Sequence, residues 1–281
     1  MFGPPNISPV PGPSEAAKPL YRLPEPVQIV GYRTGGRPDS SPALLVAGDG
    51  TVGREPLPPG HELAYTLGER RCAGAIDGDD HLRCESPSAP YCDRHDSTWI
   101  CARCTGTCLK AEMDCHSEHA VYLAAFAPAT FKVGVTSRPN PAVRLREQGA
   151  DRGAVLRYVA DGRIAREIEA EIAATTPIPD AVRVPTKIDG MGRTVDDGAW
   201  RRVLSGFEYE SIHEFDYGLG LGSAPIAETL AAGRVLGTKG RVLVLGREGG
   251  RFAVDMRSLV GYEIEAGATR RELQSDLGAF G

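Results

Sequence analysis

The chain has 281 residues, 41% of them hydrophobic and 25% charged, with a formal net charge of −5. This length suffices for one large or two modest domains with hydrophobic cores, and the acidic balance argues against a surface that binds nucleic acid over its whole extent. The N-terminus lacks the basic head and apolar core of a signal peptide, and no apolar run approaches the roughly 20 residues of a membrane-spanning helix. We therefore expect a cytoplasmic protein without a membrane span.

The chain begins with two segments of different amino-acid composition. Residues 1–20 contain six prolines and few large apolar side chains, which predicts a disordered tail. Residues 21–70 carry short β-like runs at 27–30, 43–47 and 63–67, separated by Gly, Pro and Asp turns. This alternation predicts an N-terminal β-segment.

A Cys/His-rich block occupies residues 71–119 and contains all seven cysteines. Thiolates and imidazoles at this density predict tetrahedral zinc, because Zn²⁺ takes sulfur and nitrogen ligands and four of them complete a site. Disulfides are the competing interpretation, but an odd number of cysteines and the missing signal peptide favour zinc. Neither the zinc deaminase signature nor His-Glu-x2-His is present, so we expect metals that stabilise the fold.

The spacing within the block predicts about two zinc ions. The first ligand set is Cys72, Cys84, Cys92 and His95, in which Cys92-x2-His95 forms a tight knuckle. The second set offers more ligands than one ion needs: Cys101, Cys104, Cys108, Cys115 and His119. For that ion we expect Cys104, Cys108, Cys115 and His119, with Cys101 as the alternative.

Residues 120–205 read as a compact ββαβα unit. Strands are predicted at 121–126, 131–135 and 154–159, and Asn140 followed by a proline marks the start of a short helix. Isoleucines that recur every four residues predict a second helix over 163–174. The remainder, to residue 205, is irregular apart from a helix candidate at 200–204.

The C-terminal segment, residues 206–281, is predicted to be β-rich. Two β-like runs, at 241–245 and 252–255, flank a glycine-rich hairpin signal, and a short strand follows at 262–264. The glycine-rich stretches at 237–240 and 246–250 suggest phosphate-binding loops, but no Gly-x4-Gly-Lys-Ser/Thr motif exists, and hairpin turns explain them better. The fold class predicted for the whole chain is α+β, with a zinc module and flanking antiparallel β-segments.

Residues 120–172 contain four short motifs, which follow one another on two predicted strands and two predicted helices. They are Ala120-Val121-Tyr122 on the first strand, Lys132-Val133-Gly134 on the second, Arg144-Leu145 on the first helix and Glu169 on the second. This order resembles the GIY-YIG nuclease superfamily in its shorter, divergent branches, with the first two triplets standing where Gly-Ile-Tyr and Tyr-Ile-Gly occur. The chain departs from the pattern at Val121 and at Lys132, which replaces the second tyrosine.

The resemblance implies a set of catalytic residues: Tyr122, Lys132, Arg144 and Glu169. In this scheme Tyr122 is the general base for an attacking water, and Arg144 stabilises the charge on the phosphate. Glu169 would hold one Mg²⁺ or Mn²⁺ ion near the leaving oxygen. Lys132 can hold a phosphate but cannot reproduce the hydrogen bonding of a phenol.

The wider chain also resembles an uncharacterised prokaryotic family of unknown function. Its members place a Cys/His block before Val-Tyr-Leu-Ala and Lys-Val-Gly strands, and here these strands are at 121–124 and 132–136. Further matching pieces are Gln148-Gly149-Ala150, Gly237-Thr238-Lys239-Gly240 and Gly261-Tyr262-Glu263. This resemblance implies one coherent architecture over residues 21–266 and supplies no activity.

Three functional hypotheses follow. The leading one is a protein that binds DNA or RNA and cleaves phosphodiesters with a divalent metal. The second is a zinc-containing module that binds a nucleic acid or a protein without hydrolysis. The third is an enzyme that acts on a small nucleotide or phosphate substrate. A long basic groove would favour a nucleic acid, whereas a bound nucleotide would favour the third hypothesis.

Overall fold

The computed structural model describes residues 26–36, 40–96, 116–137 and 140–267. The predicted tail and the cysteines of the second zinc set lie outside the described residues. Within them, strands and helices mix in the α+β manner predicted from the sequence. None of the described helices has the length and apolar character that a membrane crossing requires.

Numbered along the chain, the described elements form two sheets and five helices. The strands are β1 (Val27–Arg33), β2 (Ala43–Gly48), β3 (Thr51–Pro56), β4 (Glu62–Arg70), β5 (Ala75–Asp77), β6 (Asp80–Leu82), β7 (His119–Phe126), β8 (Thr130–Ser137), β9 (Arg152–Val159), β10 (Ser211–Glu214), β11 (Ile226–Ala227), β12 (Ala231–Lys239), β13 (Val242–Arg247), β14 (Gly250–Asp255) and β15 (Tyr262–Ala266). The helices are α1 (Pro141–Glu147), α2 (Gly162–Thr175), α3 (Val184–Asp189), α4 (Asp197–Leu204) and α5 (Met256–Leu259).

The larger sheet has eleven strands, in the order β11-β14-β13-β12-β4-β15-β1-β2-β3-β6-β5. Every pairing is antiparallel except that of β11 with β14. Because β4 lies between β12 and β15, the N-terminal and C-terminal β-segments form one sheet. They also share one core, in which Ile29 and Leu44 pack with Leu243 and Leu245. The sequence predicted these segments separately and did not predict that they interleave.

The smaller sheet has the order β10-β9-β7-β8. Strands β7 and β8, both predicted, pair antiparallel along their whole length and form a hairpin. Alternate residues of β7 face opposite sides of the sheet. Val121 and Leu123 pack in one core with Ala165 of α2, whereas Tyr122 packs on the other side with Leu145 of α1. The ββαβα order predicted for this region is therefore observed.

Several element boundaries differ from the sequence prediction. Helix α4 begins three residues earlier than predicted, because the Asp196 side chain accepts a hydrogen bond from the Ala199 amide at 2.7 Å and caps it. Helix α3 lies in the stretch predicted to be irregular, and its six residues are too few to show a helical period. Strand β10 pairs with β9, so the smaller sheet extends beyond residue 205.

Two glycines bring the sheets together. Gly149, at the end of α1, has φ +72°, and Gly240, between β12 and β13, has φ +57°. A β-carbon at Gly240 would lie 2.6 Å from the Gly149 nitrogen, so the two backbones touch and leave no room for side chains. Beside this contact Lys239 Nζ lies 2.5 Å from Oδ1 of Asp151. The glycine-rich stretches at 237–240 and 246–250 belong to β-hairpins, as predicted.

Candidate functional sites

Four predicted zinc ligands converge in the structure. Their ligand atoms, three Sγ atoms and one histidine nitrogen, all lie within 4.8 Å of one another: Cys72, Cys84, Cys92 and His95. Nδ1 of His95 is 3.3 Å from Sγ of both Cys72 and Cys92, and the Sγ atoms of Cys84 and Cys92 are 3.9 Å apart. Tetrahedral zinc, with Zn–S distances of about 2.3 Å, separates its sulfur ligands by roughly 3.8 Å. The cluster therefore fits one zinc ion.

Backbone groups hold this cluster in shape. The amides of Gly74 and Cys92 lie 3.4 Å and 3.3 Å from Sγ of Cys72 and donate to it. The His95 amide donates to the Cys92 carbonyl at 2.8 Å, which closes the predicted knuckle. Gly74 has φ +69°, and a β-carbon there would lie 2.1 Å from the carbonyl oxygen of Leu82. Only glycine fits at this position.

The thiols of the cluster differ in their readiness to ionise. Burial opposes ionisation of Cys92, but hydrogen bonds from the Arg94 amide and the neighbouring ligands lower the pKa of its thiol to about 6. Burial raises the pKa of the Cys72 thiol. A divalent cation at the centre favours the thiolate form of both, because a coordinating thiol loses its proton.

The second predicted zinc set is represented in the described residues by His119 alone. Its Nδ1 lies 2.7 Å from the carbonyl oxygen of Ser117. A carbonyl only accepts, so Nδ1 carries the proton in the neutral ring and Nε2 is the nitrogen that could bind a metal. A β-carbon at Gly162 would lie 2.9 Å from that Nε2, so the ring stands beside the start of α2. The second zinc site remains a prediction.

A cleft of about 950 Å³ opens where the two sheets meet. Its walls come from the end of β1 and the loop after it, from α1, and from residues 181–184 with the α3 side chain Lys187. Among the described residues, six basic side chains line the cleft: Arg33, Lys132, Arg144, Arg183, Lys187 and Arg241. The described lining includes one carboxylate, that of Glu147. Such an excess of positive charge in a partly enclosed cleft attracts anions.

Tyr122 is buried behind this lining, with 1% of its surface exposed. Its ring lies across Gly134 of the adjacent strand, and Nε2 of Gln148 donates to its hydroxyl oxygen at 2.6 Å. Burial raises the pKa of Tyr122 above its ordinary value, and Arg144 and Gln148 oppose that rise. The hydroxyl is therefore neutral at physiological pH and oriented by Gln148.

Lys132 and Arg144 supply charge above Tyr122. Lys132 pairs with Ala124 on β7 and so projects from the same face as Tyr122. Burial lowers the pKa of Lys132, and the nearby Glu169 carboxylate counteracts this. The Arg144 side chain is 48% exposed, and its Nη1 lies 3.4 Å from Glu147, which leaves most of the guanidinium open to the cleft.

Lys187 on α3 is held firmly at the cleft. Its Nζ donates to the Gln148 carbonyl at 2.8 Å and stands 4.2 Å from the centre of the Phe126 ring. Burial and, after it, the surrounding cations lower the pKa of Lys187 to about 7. These cations are Lys132, Arg241, Arg144 and Lys239.

Arg241 lies in the turn between β12 and β13, and only some of its hydrogen-bond donors have a partner among the described residues. Its Nη2 donates to Oδ2 of Asp255 at 2.8 Å. Its Nε is buried and has no hydrogen-bond partner among the described residues. Leaving a buried donor unpaired costs about 1–3 kcal/mol, and an anion in the cleft would remove that cost.

Glu169 lies close to these residues but is already paired. It is 8% exposed, and its Oε2 accepts from Nη1 of Arg166 at 2.6 Å. It influences the pKa values of both Tyr122 and Lys132, yet it does not line the cleft. The predicted Mg²⁺ or Mn²⁺ ion would have to compete with Arg166 for a single carboxylate.

The structure thus brings together Tyr122, Lys132 and Arg144 at the cleft, with Glu169 behind them. Three residues at the cleft had no predicted role in the site: Gln148, Lys187 and Arg241. Gln148 belongs to the motif Gln148-Gly149-Ala150, and that motif could have identified it as a site residue. The other two come from α3 and from the second sheet, and no local pattern linked them to the site.

Residues 81–219 match the family described as protein of unknown function (DUF2797). That segment holds Cys84, Cys92 and His95 and the cleft residues from Lys132 to Lys187, but not Cys72 or Arg241. No curated protein and no solved structure matched the chain. The resemblance to the GIY-YIG superfamily therefore stays a prediction that rests on the quoted residues.

Proposed function

We propose that the protein binds a nucleic acid, DNA or RNA, by holding its phosphate backbone in the cationic cleft. The observation that carries this proposal is the described part of the lining, which has six basic side chains and one carboxylate in a chain of net charge −5. Positive charge concentrated in one cleft of an acidic protein is a local feature, so it points to a local anionic ligand.

The kinds of group in the cleft suit a phosphodiester. Arginine presents several donors in a plane that matches phosphate oxygens, and Arg144 is open to the cleft. Lys132 adds a point charge beside it. Tyr32 also lines the cleft and offers an aromatic surface on which a base can stack. Phosphate contacts of this type position a strand without reading its sequence.

Binding of fluorescently labelled single- and double-stranded DNA and RNA, measured by anisotropy at several salt concentrations, tests the proposal. We expect affinity to fall with salt, and Arg144→Gln to weaken binding to all sequences and reduce the salt slope by about one charge. The matched control is Arg251→Gln, which removes an exposed arginine of β14 that does not line the cleft. If both variants bind like the wild type, the cleft is not the nucleic-acid site.

A second candidate function is cleavage of the bound phosphodiester. The observation that favours it is the oriented Tyr122 hydroxyl, which receives a hydrogen bond from Gln148 and whose pKa rise is opposed by the nearby Arg144. The raised pKa of Tyr122 means that it serves as a base only when Arg144 and a bound metal favour the phenolate. Cleavage would therefore depend on Mg²⁺ or Mn²⁺.

Cleavage is tested by incubating labelled strands with each divalent ion. We expect Glu169→Ala to abolish the product while zinc content stays unchanged. Glu167→Ala is the control, because Glu167 lies on the same helix but is exposed and pairs with Arg163 at 3.0 Å. Intact DNA and RNA under every ion would contradict the cleavage function and leave the binding function standing.

A further inference from the structure

We propose that Lys187 and Arg241 form a second anion subsite in the cleft, so that the site selects ligands with two successive phosphate groups. This inference rests on the proposed phosphate binding at Lys132 and Arg144. The two residues of the second subsite come from α3 and from the turn between β12 and β13. Both lie outside β7, β8, α1, β9 and α2, the elements of the ββαβα unit that carries Tyr122.

The first observation is the state of Arg241. One side of its guanidinium is fixed by Asp255, while the buried Nε has no partner among the described residues. Buried donors in folded proteins are nearly always paired, and a donor at a cleft that finds no partner among the described residues points to a ligand. An acceptor that also carries negative charge satisfies this group best.

The second observation is the environment of Lys187. Its Nζ is fixed by the Gln148 carbonyl and by the Phe126 ring, yet the ionic groups that act on it most strongly are all cationic. An ammonium group placed among cations is unfavourable in the free protein. A bound phosphate reverses the sign of that environment and favours the charged form of Lys187.

The third observation is that one residue links the two subsites. The side chain of Gln148 donates to the Tyr122 hydroxyl at 2.6 Å, and its backbone carbonyl accepts from Lys187 at 2.8 Å. The backbone amide of Gln148 also donates to the carbonyl of Arg144 at 3.1 Å, so both cation sets border this residue. One ligand with adjacent phosphates can contact both sets, which explains why the second sheet contributes Arg241 to the cleft.

Two sources supply this chemistry, a nucleic-acid strand and a nucleoside diphosphate. The test uses labelled six-nucleotide thymidine strands in which either one phosphate or two successive phosphates are charged and the rest are neutral methylphosphonates. Thymidine 5′-diphosphate serves as the competing small ligand. Dissociation constants are measured by anisotropy for the wild type, Arg241→Gln, Lys187→Met, Arg144→Gln and the control Arg251→Gln.

We expect the second charged phosphate to tighten wild-type binding by about tenfold or more. Arg241→Gln and Lys187→Met should reduce this gain to less than about threefold and weaken the one-phosphate strand less than Arg144→Gln does. Arg144→Gln should weaken both strands. Displacement by the diphosphate at similar concentrations assigns the subsite to nucleotides, and displacement by strands alone assigns it to nucleic acid.

The proposal is overturned if the gain from the second phosphate survives in both Arg241→Gln and Lys187→Met. It is also overturned if these variants weaken one-phosphate and two-phosphate strands equally. A different result, in which Arg144→Gln changes no affinity, would contradict the proposed function itself. Melting temperatures of all variants show whether a loss reflects unfolding, since Arg241 also bonds Asp255.

Discussion

A methyl group at Gly134 would lie 2.6 Å from both Cζ and the hydroxyl oxygen of Tyr122. The tyrosine ring thus occupies the space of the missing side chain. We expect Gly134→Ala to destabilise the protein by about 1–3 kcal/mol, as overpacking does, and to push the hydroxyl away from Gln148. Denaturant unfolding measures the first effect. Gly68→Ala is the control, because its nearest neighbour would be 3.5 Å away, and equal stability of the two variants would contradict the prediction.

Loss of one metal ligand should remove one zinc ion and unfold its loop. We expect Cys84→Ser to lower the zinc content by one equivalent and to lower the melting temperature, because metal binding contributes folding free energy here. Metal analysis by mass spectrometry measures the content. Zinc that remains in this variant would locate the second ion in the predicted set Cys101, Cys104, Cys108, Cys115 and His119. Unchanged zinc would contradict the assignment of Cys84.

Two glycines near the metal centre form a matched pair. Gly74 and Gly78 both have positive φ, +69° and +62°, but a β-carbon meets a carbonyl oxygen at 2.1 Å only at Gly74. We expect Gly74→Ala to displace the loop that carries Cys72 and to lower zinc affinity. Gly78→Ala carries the same backbone strain without the clash. A competition titration with a chelating dye compares them, and equal zinc affinities would show that the clash is relieved elsewhere.

Lys187 makes stability depend on pH in a defined direction. Its pKa is about 7 in the folded protein and 10.5 in the unfolded chain, so between these values the unfolded chain holds more protons and stability rises with pH. Lys187→Met removes this pH dependence and the repulsion between Lys187 and the surrounding cations. We expect the variant to melt higher than wild type at pH 6, with the difference shrinking towards pH 10. Arg251→Met is the control, and a variant less stable than wild type at pH 6 would contradict the prediction.

The same lysine should couple ligand binding to proton uptake. At pH 8 Lys187 is mostly neutral in the free protein, and a bound phosphate favours its charged form. We expect binding at pH 8 to take up close to one proton and to weaken as the pH rises. Calorimetry in buffers of different ionisation enthalpy measures the uptake. Lys187→Met should show a much smaller uptake, and equal values for both proteins would assign the proton to another group.

Local patterns predicted the elements that carry the first half of the site. Apolar runs located β1, β7 and β8, and the isoleucine repeat located α2. Cysteine spacing predicted the zinc cluster, because ligands close in sequence can share one ion. The hairpin then placed Tyr122 and Lys132 on one face, as strand alternation requires.

The rest of the site depends on contacts between distant parts of the chain. The pairing of β4 with β12 and β15 joins residues more than 150 positions apart, and no local period encodes it. Arg241 reaches the cleft through that sheet. Lys187 lies on a helix of only six residues. The helix carries Pro185 at its second position and is too short to show a periodic pattern. The pairing of Glu169 with Arg166 is a common helix contact, but only the fold shows that it is buried.

The position of β4 between two C-terminal strands also orders events during protein synthesis. The strands of the smaller sheet all lie between residues 119 and 214, so this sheet can form while the chain is still on the ribosome. The larger sheet is incomplete until β15 has been made, because β15 joins β1 to β4, and Arg241 itself follows β12 in the C-terminal half of that sheet. A nascent chain therefore displays Lys132 and Arg144 before Arg241 has been made. If the cleft binds phosphate as proposed, full affinity requires the C-terminal strands as well.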